Sequence, residues 1–353
     1  MFSILKPFIF NLDPETAHDL AIKSLKFNYL PNKIFEVENE HMLNIELFGK
    51  KFPNPIGLAA GFDKSAEVYN SLLKFGFGFV EVGTVTPLKQ FGNPKPRIFR
   101  LEEDEALINR LGFNNDGLEV VQKRLEVGRF KKQGTLGVNI GPNYDSTSYE
   151  NDFCKCIGHL IKLSLADYIT INISSPNTEN LRDFHDETKL ESLMKTINKV
   201  KKDLKGEDVP IFLKVSPDIK ESSIEKISEI IINQNIKGLI LTNTTNGNRS
   251  LLKNSNKNQT GGLSGKPIRD LSNQMIKKFY NKLKGRVFII GVGGVDSGLS
   301  AFEKITAGAN AVQLYTGMIY KGPGIVKEIK KDLIQILKKE KIKSITEAIG
   351  INS

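Results

Sequence analysis

Eight short apolar runs, each closing on Gly, Ser or Thr, recur along this chain with amphipathic stretches between them. They are "IGLAAG" (56–61), "FVEVG" (79–83), "TLGVNIG" (135–141), "YITINIS" (168–174), "IFLKVS" (211–216), "GLILTNT" (238–244), "VFIIGVGG" (287–294) and "AVQLYTG" (311–317). The intervening pattern has helical period, as in "LESLMKTINKVKKDL" (190–204), where Leu190, Leu193, Met194, Ile197 and Val200 share a face. Strands alternating with helices run parallel, because each crossover returns the chain over the sheet with a right-handed sense. Eight such units predict an α/β protein built as a (β/α)8 TIM barrel rather than an open sheet. In that architecture reactive groups collect at the C-terminal ends of strands, which is where the polar stretch "INISSPNTENLR" (171–182) falls.

Residues 1–48 stand outside this rhythm and are expected to form a helical extension, leaving 49–353 for the barrel. "MFSILKPFIF" carries Phe2, Leu5, Phe8 and Ile9 but is interrupted by Pro7, and it is far shorter than the ~20 apolar residues a bilayer span needs. Asp13 is placed to cap a second helix with Pro14 at its first position, and Ala17, Leu20, Ala21 and Leu25 form one face of it. Such a face either packs on a core or lies on a membrane, with Lys6, Lys23 and Lys26 available to anionic headgroups.

The chain carries 50 Lys and Arg against 40 Asp and Glu, a net charge of +10, which would attract a polyanion if it were clustered. It is spread out instead, with pairs such as Lys201-Lys202, Lys277-Lys278 and Lys330-Lys331 on helical segments that read as solvated faces. No nucleic-acid motif accompanies it, and nucleic acid is not expected as a partner. Cys154 and Cys156 lie one residue apart on a helix, a spacing suited to neither a disulfide nor a zinc pair, so no metal is expected. With no recognisable cleavable signal, a reducing compartment is expected.

The strand ends carry the chemistry. Glycines in "GVGGV" (291–295) and "YTG" (315–317) let backbone N–H groups approach an anion, and the loops after strands seven and eight of such barrels often hold phosphate. Lys64 closes the first strand and Lys214 lies inside the fifth; a lysine there is costly without an anion, whether a ligand or an acid such as Asp63 or Asp218. Asn109, Asn139, Asn172, Asn177 and Asn243 bring paired donors and acceptors to the mouth, matching a cyclic imide or amide. None of His18, His41, His159 and His185 falls at a strand end, which leaves Ser175 as the candidate base; it would need desolvation, a charged neighbour or a relay.

With these residues in view, the chain resembles the class 2, quinone-dependent dihydroorotate dehydrogenases. The matching motifs include "NPIGLAAGFDK" (54–64), "EVGTVTP" (81–87), "NPKPRIFRL" (93–101), "NRLGFNN" (109–115), "VNIGPN" (138–143), "NISSPNT" (172–178), "LKVSPD" (213–218), "TNTT" (242–245) and "GGLSGKP" (261–267), in order. The resemblance implies FMN as cofactor and oxidation of (S)-dihydroorotate to orotate in pyrimidine biosynthesis, with hydride passing from C6 to flavin N5 and the C5 proton to Ser175. Thr178 and Phe113 would line the proton's exit.

Carried over by motif, the substrate positions are Lys64, Asn109, Arg110, Leu111, Gly112, Phe113, Asn172, Asn177, Asn243 and Thr244. Those for FMN are Ala60, Gly61, Phe62, Asp63, Lys64, Thr84, Asn139, Asn172, Lys214, Thr242, Gly265, Gly294, Tyr315 and Thr316, with Gly293 also presented to the phosphate. Lys214 would lie near the N1/O2 edge of the flavin. The N-terminal helices would form a quinone funnel, with Phe2, Leu5, Phe8, His18 and Arg100 as candidates, on a monomer bound peripherally to the cytoplasmic face of an anionic inner membrane. "ENLRDFHDETKL" (179–190) corresponds to the active-site lid, and "NGNRSLLKNSNKNQT" (246–260) reads as a polar loop inserted after strand six.

Two alternatives follow from the same residues. One is a class 1 enzyme, soluble and using fumarate or NAD, against which Ser175 and residues 1–48 argue, since class 1 relatives carry cysteine at that position. The other is a non-catalytic barrel that merely holds a phosphate ligand.

Overall fold

The structure, a computed structural model, describes residues 2–27, 37, 40–132, 134–247 and 249–353. Its first half runs α1 (Phe2–Phe10), α2 (Pro14–Lys26), β1 (Ile45–Leu47), β2 (Lys50–Phe52), β3 (Ile56–Leu58), α3 (Tyr69–Leu73), β4 (Phe79–Val85), β5 (Ile98–Leu101), β6 (Ala106–Asn109), α4 (Leu118–Gly128), β7 (Thr135–Ile140) and α5 (Tyr149–Lys162). Then follow β8 (Tyr168–Asn172), α6 (Glu187–Asp203), β9 (Ile211–Val215), α7 (Glu221–Asn233), β10 (Gly238–Leu241), β11 (Gly262–Gly265), α8 (Arg269–Leu283), β12 (Phe288–Val292), α9 (Gly298–Thr306), β13 (Ala311–Leu314), α10 (Thr316–Lys321) and α11 (Ile325–Lys339).

The eight apolar runs supply the eight staves of a closed barrel, in the order β3, β4, β7, β8, β9, β10, β12, β13 and back to β3. Every neighbouring pair is parallel. Helices cover the outside and side chains fill the inside, so strands such as β7 and β8 are buried at every position. That explains why they read as continuous apolar runs rather than alternating ones.

Two features go beyond the sequence reading. A hairpin of β1 and β2 plugs the N-terminal end of the barrel: Phe48, at its turn, packs edge-on against Phe212 at 5.7 Å and Phe288 at 6.3 Å and tilted against Tyr168 at 5.9 Å, near the starts of three staves. At the opposite end β5, β6 and β11 form an antiparallel sheet, Ile98 and Gly262 both pairing with Asn109. Its apolar face, with Leu101, Ala106, Ile108, Leu263 and Ile268, also buries Leu252 from the 246–260 segment. That segment is therefore anchored rather than a plain polar loop: Asp104 accepts the Lys253 N–H at 2.9 Å and the Asn254 N–H at 3.0 Å, and Arg249 donates to the carbonyls of Gln259 and Gly261. Asn248 of this stretch lies outside the described residues.

Asp13 does cap α2, accepting the N–H groups of Glu15 and Thr16 at 3.0 Å each. The expected apolar face of α2 does not pack inward as a whole: Ile22 is buried whereas Leu20 is about half exposed. On α1, Ile4, Leu5 and Phe8 are likewise exposed. Residues 28–36 and 38–39 of the extension lie outside the described residues. The solvated-face reading fails for two lysines. Lys201 is buried with its ammonium donating to the Val209 carbonyl at 2.7 Å, and Lys330 is buried against Glu40 at 2.7 Å.

Candidate active site

At the C-terminal ends of the staves lies one large cavity. Among the residues lining it are Ala60, Gly61, Lys64, Thr84, Asn109, Leu111, Gly112, Phe113, Asn172, Ser175, Asn177, Lys214, Thr242, Asn243, Thr244, Gly265, Gly294, Tyr315 and Thr316, all expected from the sequence. Four of the residues expected to hold substrate or FMN do not line it. Phe62 turns away to meet the His18 ring edge-on at 5.1 Å. Asp63 is buried and accepts the N–H groups of Glu67 at 2.7 Å and Val68 at 2.8 Å, shaping the turn after the first stave. Arg110 lies over the Phe99 ring and donates to the Pro96 carbonyl at 2.9 Å and the Thr260 carbonyl at 3.0 Å, tying the accessory sheet to the inserted segment. Asn139 lies one layer deeper, fully buried beneath Thr84 and Asn172.

The asparagines are held by one another. Asn139 Oδ1 accepts from Thr84 Oγ1 at 2.7 Å and from Asn172 Nδ2 at 3.1 Å, while Asn172 Oδ1 accepts from the Ser174 N–H at 3.2 Å and Oγ at 3.0 Å. Asn243 Nδ2 donates to Ser174 Oγ at 2.9 Å, and Asn177 Nδ2 donates to the Asn109 carbonyl at 3.1 Å. Ser175 is buried, and its Oγ accepts the Asn177 N–H at 3.2 Å. The 179–190 segment is folded down over this side: Leu181 and Phe184 are buried, and Arg182 reaches the Ser174 carbonyl at 3.2 Å, the Thr244 carbonyl at 3.2 Å and Asp218 at 3.0 Å.

The two lysines resolve the choice between a ligand and an internal acid. Asp63 is committed to backbone N–H groups and Asp218 to Arg182 and Thr245. Among the described residues neither lysine has a carboxylate at ion-pair distance, so both bring positive charge to the cavity that acids offset only from further away. Burial holds the Lys64 ammonium down to about 8, against the pull of Glu15 and Asp19, and burial lowers Lys214 as well, opposed by Glu81.

His18, absent from the strand ends, is brought here by α2. Its Nε2 accepts from the Lys64 ammonium at 3.2 Å, and burial together with that ammonium pushes the imidazole down to about 3, so it is neutral. It lines a second cleft with Lys64, between α2 and the mouth. Arg100 does not line the main cavity but stacks on Phe10 and donates to the carbonyls of Phe10 at 3.0 Å and Leu12 at 2.8 Å, fixing the end of α1. Tyr320, packed edge-on against Phe10 at 5.4 Å, carries the cavity wall with Ile98 and Leu107 toward that helix.

A ring-bearing phosphate ester suits this donor set. Gly293 and Gly294 sit at φ +118° and +72°, and a Cβ on Gly294 would fall 2.6 Å from that of Arg269, so the turn is open only to glycine. Among the described residues the N–H groups of Gly293, Gly294 and Tyr315 have no hydrogen-bond partner, and they face a cavity that also holds Lys214. Gln313 lines it with a buried Oε1 that has no partner.

Sequence reasoning missed Gln313 and the acid beneath it, Glu81, because single polar residues inside apolar runs gave no pattern.

A closed (β/α)8 barrel with a glycine turn open to phosphate, a buried lysine inside the mouth and a second lysine facing an amide-lined chamber suits a flavin-dependent oxidoreductase, and the comparisons with known proteins point the same way. The family model for dihydroorotate dehydrogenase matches residues 42–337, and the chain belongs to that family. It is 46% identical over 342 residues to a dihydroorotate dehydrogenase (quinone) of Bartonella tribocorum, covering 96% of this chain and 93% of that one. It is 44% identical over 348 residues to the mitochondrial dihydroorotate dehydrogenase (quinone) of Mus musculus, covering 97% and 87%. Among solved structures, a dihydroorotate dehydrogenase of Eimeria tenella in complex with ferulenol superposes with a TM-score of 0.90 at 39% identity, covering 96% of each chain.

Proposed function

We propose that this chain oxidises (S)-dihydroorotate to orotate, carries FMN as its redox group and delivers the electrons to a membrane quinone. The observation that carries this reading is the placing of Lys64, Ser175, Asn109, Asn172, Asn177 and Asn243 around one cavity that also receives Lys214 and the Gly293-Gly294 turn. A dihydropyrimidine carboxylate offers one anionic group and alternating N–H and C=O edges. The Lys64 ammonium suits the first and the amides suit the second. The quinone qualifier in the relatives' names supports quinone as acceptor over fumarate or NAD.

When bound, FMN would take the hydride from substrate C6 and yield the reducing equivalents to quinone. The protein's own residues do the rest. Gly293, Gly294 and Tyr315 offer N–H groups to the phosphate, and Lys214 supplies the positive charge that favours a reduced, anionic ring. Ser175 takes the C5 proton. Its Oγ has one lone pair engaged by the Asn177 N–H, and the other remains for the substrate. Accepting that proton requires the hydroxyl to release its own, so Ser175 needs a relay; Thr178, also buried, would pass the proton outward by giving up its own hydroxyl proton as it takes the one from Ser175. The 179–190 segment, pinned by Arg182, excludes water during the transfer.

The access side lies at α1 and α2. Among the described residues no helix is long and apolar enough to cross a membrane. Exposed Ile4, Leu5, Phe8, Leu20 and Phe27, flanked by Lys6, Lys23 and Lys26, suit peripheral contact with anionic lipid, from which a quinone would reach the cavity beside Tyr320.

The test is direct. Protein purified in mild detergent with FMN is expected to be yellow, to bleach on anaerobic addition of dihydroorotate with release of orotate, and to recolour on addition of quinone. A folded, yellow protein that dihydroorotate does not bleach contradicts the reading; recolouring by fumarate and not by quinone reverses the acceptor.

A further inference from the structure

Glu81, at the middle of β4, is fully buried beneath the cavity floor and has no role in the reaction described so far. Both of its oxygens are engaged. Oε1 accepts from Asn139 Nδ2 at 2.9 Å; Oε2 accepts from the Tyr168 hydroxyl at 3.0 Å, Thr170 Oγ1 at 3.1 Å and Gln313 Nε2 at 3.2 Å. The four donors come from three other staves, β7, β8 and β13.

A side-chain amide can present either end, and its sense is set by whatever it faces first. A carboxylate accepts only. Asn139 must therefore turn Nδ2 down to Glu81, which sends its Oδ1 toward Thr84 and Asn172. Asn172 must then point Nδ2 at Asn139, which leaves its Oδ1 to Ser174 and, through Ser174, orders Asn243. Gln313 is governed in the same way: with Nε2 on Glu81, its unpartnered Oε1 is left as an acceptor at the cavity wall.

We propose that Glu81 is a positioning residue that fixes, from one layer below, the sense of Asn139 and so which ends of Asn172 and Gln313 are turned toward the bound cofactor. Its negative charge also acts on Lys214, opposing the effect of burial on that ammonium. This rests on the flavin reading above, and the two fail differently: a wild-type protein that takes up no FMN ends that reading, whereas a yellow wild type matched by its variants ends this one.

Glu81→Gln keeps the shape but lets the residue donate as well as accept, so the sense is no longer imposed. FMN affinity, read by quenching of free-flavin fluorescence, is expected to fall about tenfold, the difference between a charge-assisted and a neutral hydrogen bond. The alkaline break in the pH dependence of the bound flavin's midpoint potential is expected to move to lower pH. The exchanged pair, Glu81→Gln with Asn139→Asp, restores every donor direction, because the new carboxylate accepts from residue 81, Thr84 and Asn172. It is expected to recover FMN affinity to within about threefold of wild type.

A structural role alone would leave affinity and the alkaline break of Glu81→Gln unchanged, and either result overturns the proposal. If Glu81→Gln does not fold, the exchanged pair decides: tight FMN supports the proposal, and a folded pair with affinity weakened tenfold or more overturns it.

Discussion

The barrel floor and the N-terminal helices are built on opposite terms. Under the cavity, polar groups from several staves are buried and satisfy one another, so each amide has one orientation and Ser175 one setting. On α1 and α2 large apolar side chains are left in water, with Phe8 at 72% exposure and Leu20 at 48%. Buried polar groups are costly unless every partner is in place, so the floor is rigid and specific. Exposed apolar groups are costly unless something covers them, so the helices point to a surface outside the molecule. On the function proposed above, substrate chemistry falls to one region and acceptor access to the other, and substitutions in each should disturb one half of the reaction alone.

The largest effect is expected at Ser175. Ser175→Ala should keep FMN and orotate but slow bleaching by dihydroorotate about 100- to 10,000-fold, the usual contribution of a placed base; near-normal bleaching would mean another base. Next is Lys64→Met, which should weaken orotate about 10- to 100-fold by removing the only charged partner proposed for its carboxylate.

The wild type carries a related pH signature. With the Lys64 proton held to about 8, orotate affinity should be flat below that pH and fall about tenfold per unit above it, since the neutral amine no longer attracts the anion. An affinity unchanged up to pH 10 would place the charge elsewhere.

Smaller and on the other side of the comparison, Leu5→Ser with Phe8→Ser should weaken binding to anionic vesicles about tenfold while leaving thermal stability unaltered, because both side chains are already exposed. Loss of stability instead would make α1 a packing element. Leu252→Ala, which empties a small apolar cluster beneath the accessory sheet, should cost about 2–3 kcal/mol in denaturant unfolding with little change in bleaching.

Much of this was legible in the sequence, for a physical reason. Staves buried on both faces must be continuously apolar, so all eight could be read without knowing their partners, and the polar residues that interrupt their ends mark the mouth. What escaped depends on partners distant in the chain. The accessory sheet pairs Gly262 with Asn109, and neither segment shows strand periodicity alone. Glu81 reads as a stray acid in "FVEVG" until Tyr168, Thr170 and Gln313 converge on it. His18 is expected from the sequence only in the quinone funnel, since it falls at no strand end, whereas α2 folds back over the rim and brings it to Lys64. Lys201 and Lys330 looked solvated because helical period shows which face a residue is on, not whether a long side chain finds a buried carbonyl or acid at its tip.

The claim that the two regions divide the reaction is tested most directly by anaerobic double-mixing stopped-flow at the flavin absorbance, dihydroorotate first and quinone in vesicles second. Ser175→Ala and the Leu5→Ser, Phe8→Ser enzyme would be run side by side. The expected result is that the serine variant slows only the bleaching phase and the helix variant only the recolouring phase. Both variants slowing the same phase would contradict it.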